Sequence, residues 1–247
     1  MKVTSCSVTD VGRQRRQNED YVFTSEVPLG PLPNFFMVAD GMGGHKAGEY
    51  ASKSAVETMV ASVNLSKQKA PIKVITEAVK AANKKVREKS LSDESFAGMG
   101  TTLVACTYDG ETLTVANIGD SRLYVSDGKG IRQITVDHSL VEEMIRMGEI
   151  ERRDARFHPD KNIITRAVGV MDSIDADFFE VEDMHPGDIV LLCSDGLSNM
   201  LADEEMAGIL NGDGTLEEKA SRLVAAANMN GGRDNIAVVL IRVDDER

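Results

Sequence analysis

The sequence predicts an α+β layered domain, and three observations predict it. Apolar runs of strand length, rich in Val, Ile, Thr and Phe, recur near 3–9, 34–39, 101–108, 111–118, 121–125, 188–193 and 236–243. Stretches of helical periodicity lie between them, often as neighbouring pairs rather than one helix after each strand. Several strand-like runs are separated only by short turns, which favours antiparallel pairing over a βαβ chain. No internal repeat or low-complexity linker divides the 247 residues, so one domain is expected.

The individual elements have local justifications. Ala47, Ala51, Ala55, Met59 and Val63 recur every four residues and mark a helix. Ile75, Ala78, Val79, Ala82 and Val86 form a second stripe, with Pro71 near its start, where a missing N–H is harmless. Leu216, Ala220, Leu223, Val224 and Ala227 form a third, and another helix is expected near 203–210. Thr215 with Glu218 and Ser139 with Glu142 have the spacing of capping boxes. Asp109-Gly110 between two strand-like runs reads as a tight hairpin, and the three prolines of 28–34 read as a surface loop.

Composition excludes several function classes. Hydrophobic residues make up 42% and charged residues 28%, an ordinary globular balance that argues against disorder. A net charge of −12 is a poor match to nucleic acid, where Lys and Arg must meet phosphates. The charge either serves solubility alone or reflects carboxylates that converge on cations. Cys6, Cys106 and Cys193 are odd in number, lack Cys-x-x-Cys spacing and sit in apolar stretches. They predict neither a disulfide framework nor a zinc site, and they fit a reducing cytoplasm. The first twenty residues are too polar for a signal peptide, and the longest apolar runs are too short for a membrane span.

The chemistry lies in a recurring pattern: an apolar run leads into an aspartate with glycine beside it. Residues 35–39 lead into Asp40-Gly41, residues 189–194 into Asp195-Gly196, and residues 114–118 into Gly119-Asp120. Near the C-terminus the order reverses, with Asp234-Asn235 preceding the run 236–241. A hairpin turn explains Asp109-Gly110 but not Asp40 or Asp195, because helices follow those two. Glycine there lets backbone carbonyls approach a ligand. Several Asp without a matching Cys or His cluster point to hard cations such as Mg²⁺ or Mn²⁺. His45, His138, His158 and His185 lack zinc-like spacing and read as surface or packing residues. Asp10, Arg13, Arg15, Arg16, Asn18, Glu19 and Asp20 crowd into eleven residues. This is either a solvated charged loop or an arginine held beside metal-binding carboxylates, and arginine's planar fork suits phosphate.

Taken together, the motifs resemble those of the metal-dependent protein phosphatases of the type 2C (PPM) family in its compact bacterial form. They are Arg15-x-x-Asn18-Glu19-Asp20, Val38-Ala39-Asp40-Gly41-Met42-Gly43-Gly44-His45, Gly98-Met99-Gly100-Thr101-Thr102, Ile118-Gly119-Asp120-Ser121-Arg122, Asp137-His138-Ser139-Leu140, Leu192-Cys193-Ser194-Asp195-Gly196-Leu197 and Arg233-Asp234-Asn235. They occur in family order over nearly the whole chain. The resemblance implies a four-layer α-β-β-α sandwich with two central antiparallel sheets flanked by helices. It implies a protein-serine/threonine phosphatase holding two, or with a weaker third site three, Mn²⁺ or Mg²⁺ ions. By position Asp40 would bridge two metals, the Gly41 carbonyl would bind one of them, and Asp195 and Asp234 the other. Glu19 and Asp20 would act mainly through bound waters, Asp120 with Asp195 would hold the third ion, and Arg15 would clamp the substrate phosphate. A metal-activated water would attack phosphorus in line, without a covalent intermediate.

The sequence departs from the family at Met42, where many animal relatives carry a histidine proposed as general acid. His45 is the nearest histidine and a weak substitute. The resemblance also implies a flap within 139–169, where Arg152, Arg153 and Arg156 form a basic run that reads first as a solvated helix face and second as a guide for acidic phosphopeptides. Expected partners are phosphorylated proteins, including a bacterial Ser/Thr kinase; no nucleic acid and no membrane are expected, and the chain is expected to be monomeric. The rival readings are a catalytically inactive regulatory relative and a small-molecule phosphoester hydrolase.

Overall fold

The computed structural model describes residues 2–44 and 46–245. Among them, one sheet is built from β1 (Lys2–Asp10), β11 (Ile236–Asp244), β10 (Ile189–Cys193), β7 (Arg122–Ser126) and β8 (Ile131–Gln133), in that spatial order. The other runs β2 (Asp20–Ser25), β3 (Phe35–Met42), β5 (Leu103–Tyr108), β6 (Leu113–Ile118) and β9 (Asp177–Val181), with the short β4 (Gly100–Thr101) paired to the end of β3. Every pairing is antiparallel. Helices α1 (Lys46–Leu65) and α2 (Pro71–Ser92) cover one outer face. Helices α5 (Asp195–Ser198), α6 (Asp203–Asn211) and α7 (Leu216–Met229) cover the other, and α3 (Leu140–Met147) and α4 (Arg152–Ala155) lie in the segment before β9. This is the expected four-layer α-β-β-α sandwich.

The layering follows from two-residue alternation on strands that are covered on both sides. On β3, Phe36 and Val38 point into the space between the sheets, where they meet Leu192, Val239 and Ile241. Phe35, Met37 and Ala39 point the other way, against Ala51, Ala55 and Met59 of α1. On the far sheet, Leu191 and Leu240 pack outward against Ala220 and Leu223 of α7. Burial on both faces removes the polar half of the alternation, which is why these strands read as continuous apolar runs.

Three strands had no signal in the sequence: β2, β8 and β9. Each lies at a sheet edge and is largely half-exposed, so none carries a continuous apolar run. The Thr215 capping box forms completely, with Glu218 accepting from the Thr215 N–H at 2.9 Å and Thr215 Oγ1 accepting from the Glu218 N–H at 3.3 Å. The Ser139 box forms only by half: Ser139 Oγ accepts from the Glu142 N–H, but the Glu142 carboxylate turns to Arg152 instead. A guanidinium offers that carboxylate two charge-assisted bonds where the backbone offers one. The 28–34 loop is also less superficial than its prolines suggest. Leu32 is buried, and Asn34 lies buried against β5, giving its side-chain N–H to the Tyr108 carbonyl at 2.7 Å and accepting from the Tyr108 N–H at 2.8 Å.

Truncating Leu192 between the sheets (Leu192→Ala) is expected to lower the unfolding free energy by about 2–5 kcal/mol in chemical denaturation. Leu65→Ala, at a side chain that is 78% exposed, should change it by no more than about 0.5 kcal/mol.

Candidate metal centre

The acidic residues singled out in the sequence meet at one end of the sandwich. Asp20 and Asp40 are direct partners across the antiparallel β2–β3 pair. Like charges in that relation destabilise a sheet unless something neutralises them. The carboxylates of Asp20, Asp195, Asp120 and Asp234 are all close enough to Asp40 to repel its charge. Burial first, and then repulsion from the other four carboxylates, pushes the Asp40 carboxyl well above the usual range. Burial likewise raises Asp20 to about 8, with Ser194 pulling the other way and Asp195 and Asp234 adding to the rise. Burial and then repulsion from Asp234 raise Asp195 to about 6. Asp120 is raised by burial, Asp195 and Asp137, against the pull of Arg122.

The backbone that holds these groups is fixed by polar residues to which the sequence reading had assigned no role. Thr102 Oγ1 accepts from the Asp40 N–H at 2.9 Å and pairs with Ser121 Oγ at 2.7 Å, while Thr101 Oγ1 donates to the Asp40 carbonyl. Ser194 Oγ donates to Asp20 at 2.7 Å and accepts from the Ala237 N–H, tying the second sheet to the first. Asn235 accepts from the Glu19 N–H and donates to the carbonyls of Val11 and Gln17, so it anchors the whole 11–19 loop. The signal for these residues was their place inside the motifs, next to the aspartates they serve.

The glycines beside the aspartates are required by close packing of the chain on itself. A Cβ on Gly41 would collide with the Gly48 carbonyl, and one on Gly196 with the Asn235 carbonyl. Their absent side chains let chain approach chain. Gly48 completes the arrangement: a Cβ there would sit 2.6 Å from a Glu19 carboxylate oxygen and 2.9 Å from the Gly41 carbonyl. The Glu19 carboxylate and the Gly41 carbonyl therefore both lie close against Gly48. Two positional details differ from expectation. β3 continues two residues past Asp40, and Asp195 opens α5 rather than ending a strand.

The other predicted residues fall as follows. Arg15 Nη2 bonds to Asp234 Oδ2 at 2.8 Å, and both side chains are partly exposed. Asp234 accepts from the Asn235 N–H through its other oxygen. Arg122 grips Asp137 through both Nε and Nη2. His138 is a packing residue, as read: its Nδ1 accepts from the Gly119 N–H at 3.1 Å, which leaves Nε2–H to donate to Asp177 at 3.1 Å. It holds the turn that presents Asp120. Met42 packs toward Gly100 beside Val170, and His45 lies outside the described residues.

The donor set suits hard divalent cations. One oxygen of Asp20 and one of Asp195 are buried with no hydrogen-bond partner among the described residues, and such carboxylate oxygens call for positive charge. Among those residues, no group of three or more His, Cys, Asp or Glu side chains is arranged to hold a metal ion as it stands. The fit rests on donor chemistry and on the orphaned oxygens, not on a ready-made coordination polyhedron.

Comparison with known proteins agrees with this geometry. The family model described as protein phosphatase 2C matches residues 12–238. The chain belongs to the protein phosphatase 2C family. It is 42% identical over 242 residues to the serine/threonine phosphatase stp of Listeria monocytogenes, covering 96% of this chain and 94% of that one. The structure of the S. agalactiae serine/threonine phosphatase superposes with a TM-score of 0.90 at 33% identity, covering 98% of this chain and all of that one (100%). The catalytic domain of the phosphatase PstP in complex with two manganese ions superposes with a TM-score of 0.86 at 31% identity and 99% coverage of both. This phosphatase 2C chain is a protein-serine/threonine phosphatase, and divalent-metal dependence is typical of its family. Among the described residues, no helix is long and apolar enough to cross a membrane.

The raised carboxylates give a signed prediction. Asp20 and Asp195 carry folded-state pKa values of about 8 and about 6, above the ordinary 3.8. Their protonated forms favour the fold, so this contribution is complete below 3.8 and is lost as pH rises through 6 and then 8. In chelator, Tm is expected to fall between pH 6 and pH 8, and saturating Mn²⁺ should flatten the fall. Asp20→Asn should remove most of the upper part of it. A chelated protein with constant Tm across that range would contradict this account.

Proposed function

We propose that Asp40, Asp195 and Asp234 with the Gly41 carbonyl hold two Mn²⁺ or Mg²⁺ ions, supported by Glu19 and Asp20, and that Asp120 with Asp195 serves a third. The observation that carries this is the buried Asp20–Asp40–Asp195 cluster with its two orphaned oxygens. When bound, such cations supply positive charge at phosphoryl oxygens and lower the pKa of water. The chain's own residues do the rest. Thr102, Ser194 and Asn235 hold the carboxylate-bearing backbone at fixed positions. Arg15, at the lip beside Asp234, offers a planar fork to the substrate phosphate.

A covalent thiol route does not fit. Cys106 and Cys193 lie in the core, where burial raises the Cys193 thiol to about 12 and pushes Cys106 up as well. Cys6 is half-buried and raised to about 11, chiefly by burial. Position 42 offers no proton, since a methionine packed toward Gly100 cannot donate one. We assign the whole chain to one catalytic unit with a flap within residues 139–169. Its phosphoprotein substrates are those of a counterpart Ser/Thr kinase, and it works as a cytoplasmic monomer.

Asp195→Ala and Asp40→Asn are each expected to cut Mn²⁺-dependent phosphate release by more than about 10²-fold with circular dichroism unchanged, because even outer-shell losses cost roughly 10–100-fold. Calorimetry should show weakened Mn²⁺ binding in both. Full phosphatase activity in chelator would overturn the assignment. Arg15→Ala should act mainly on KM for phosphoprotein, by roughly tenfold or more, as expected from losing charge-assisted hydrogen bonds.

A further inference from the structure

Residues 67–91 carry eight of the chain's 28 Lys and Arg and only two of its 40 Asp and Glu. Most of this segment is α2, whose apolar stripe packs inward and leaves the basic side chains on the outer surface of the sandwich. Part of the charge is used inside the fold. Arg87 donates to Asp172 and to the Val170 carbonyl, each at 2.7 Å. Lys89 bonds to Asp93 at 2.6 Å and lies 4.4 Å over the Phe96 ring. Glu77 turns away from the lysines and accepts from the Gln68 side chain at 2.9 Å. Lys80 has no ion pair among the described residues, and Lys84 reaches Glu88 only at 3.9 Å, with both side chains exposed. An exposed pair at that distance compensates little charge.

Lys80, Lys84, Arg87 and Leu91 recur at i, i+4, i+7 and i+11, so they share one face of α2. With Asp172 and Ile174 they line a groove of about 570 Å³ between α2 and the loop that precedes β9. The groove is preformed. Buried Asn83 accepts from the Gly169 N–H at 2.7 Å and donates to the Met171 carbonyl at 2.9 Å. Gly169 has a φ of +92°, and a Cβ there would sit 2.3 Å from Val86. Together with the two bonds from Arg87, these contacts fix residues 169–172 against the helix. Leu91 is 73% exposed at the groove, and Val170 and Met171 of the fixed loop are exposed as well. A solvated helix face accounts for scattered lysines. It does not account for apolar side chains exposed beside them along a rigid groove. The groove's lining contains none of the carboxylates of the candidate metal centre.

We propose that this face of α2 docks an acidic segment of a partner protein. The segment's carboxylates meet Lys80 and Lys84, and one apolar side chain seats beside Leu91 and Ile174. Charge complementarity selects this class of partner: a positive island on a chain of net charge −12 attracts anionic segments and steers them to one place. From Lys80 to Leu91 the helix rises about 16 Å, which about five residues of an extended segment span. A lipid surface suits side chains that project from a flat or convex helix face, whereas the lysines and Leu91 border a concavity. Docking here recruits a partner and takes no part in the chemistry, so it does not depend on the metal assignment.

The test pans a phage-displayed library of random peptides against the full chain and, in parallel, against Lys80→Gln/Lys84→Gln and Leu91→Gln. Peptides enriched on the parent are expected to combine several Asp or Glu with an apolar residue. Labelled copies of them should bind the lysine variant roughly three- to tenfold more weakly, as exposed ion pairs allow, and should lose affinity for the parent as salt rises. Leu91→Gln should weaken binding about tenfold through lost apolar contact. Amide shifts in NMR spectra on peptide addition should centre on residues 80–91 and 169–174. All three substituted side chains are exposed, so both variants should keep the parent's Tm and its turnover of a small aryl phosphate with Mn²⁺. Enrichment without acidic sequences, equal binding to all three proteins, or shifts centred elsewhere overturns the proposal. So do two results that name another occupant. Binding to phosphatidylserine vesicles with no acidic peptide enriched would assign the face to a membrane. Self-association of the parent that either variant abolishes would assign it to a second copy of the chain.

Discussion

Asp20 and Asp40 oppose each other across a strand pair, and Asp195, Asp120 and Asp234 close in around them. This concentration of buried negative charge is the constraint on which the rest of the site depends. A fold left to optimise stability would not gather the carboxylates of Asp20, Asp40, Asp120 and Asp195 where burial and repulsion both disfavour ionisation. It is tolerable because the strands are held from both sides by packed helices and the cluster needs no movement of its own. Under the proposed assignment the cost becomes affinity for cations, which would also bring the charge that phosphoryl chemistry requires.

The scaffold answers that constraint with short hydroxyl and amide side chains rather than with counter-charges. Thr102, Ser121, Ser194 and Asn235 fasten backbone to backbone and sheet to sheet. Arg15 is the one cation ion-paired to the cluster among the described residues, and it sits at the exposed lip. Small neutral donors fix the carboxylates without neutralising them. The glycines next to Asp40 and Asp195 belong to the same scheme, because side chains there would hold the neighbouring strands and loops apart.

The segment 139–169 shows how strongly local pairing reshapes what a basic run means. Arg152 and Arg153 look equivalent to Arg156 in the sequence, yet Glu142 and Glu151 absorb the first two. Arg156 is joined instead by Lys161, five residues on and outside the run, because the chain turns back across Asn199. Charge available to a partner is set by what remains after internal pairing, not by the number of arginines.

The sequence by itself determined the elements that are covered on both faces, the order of the motifs and the chemistry of the donors. Continuous apolar runs such as 35–39 and 189–193 are visible because burial on both sides leaves no polar alternation to hide them. The edge strands β2, β8 and β9 were not visible, since half-exposed strands resemble loops, whereas β1, also half-exposed at an edge, was legible as the run 3–9. Oxygen donors without Cys or His clusters pointed to hard cations before any geometry was known. Only the tertiary structure decided which charges remain uncompensated: that Arg15 engages Asp234, that Glu142 leaves its helix cap for Arg152, and that His138 serves Gly119 and Asp177. Those pairings join residues up to 219 positions apart or choose between competing partners close at hand. Such choices are made by distance and orientation, which residue order does not encode.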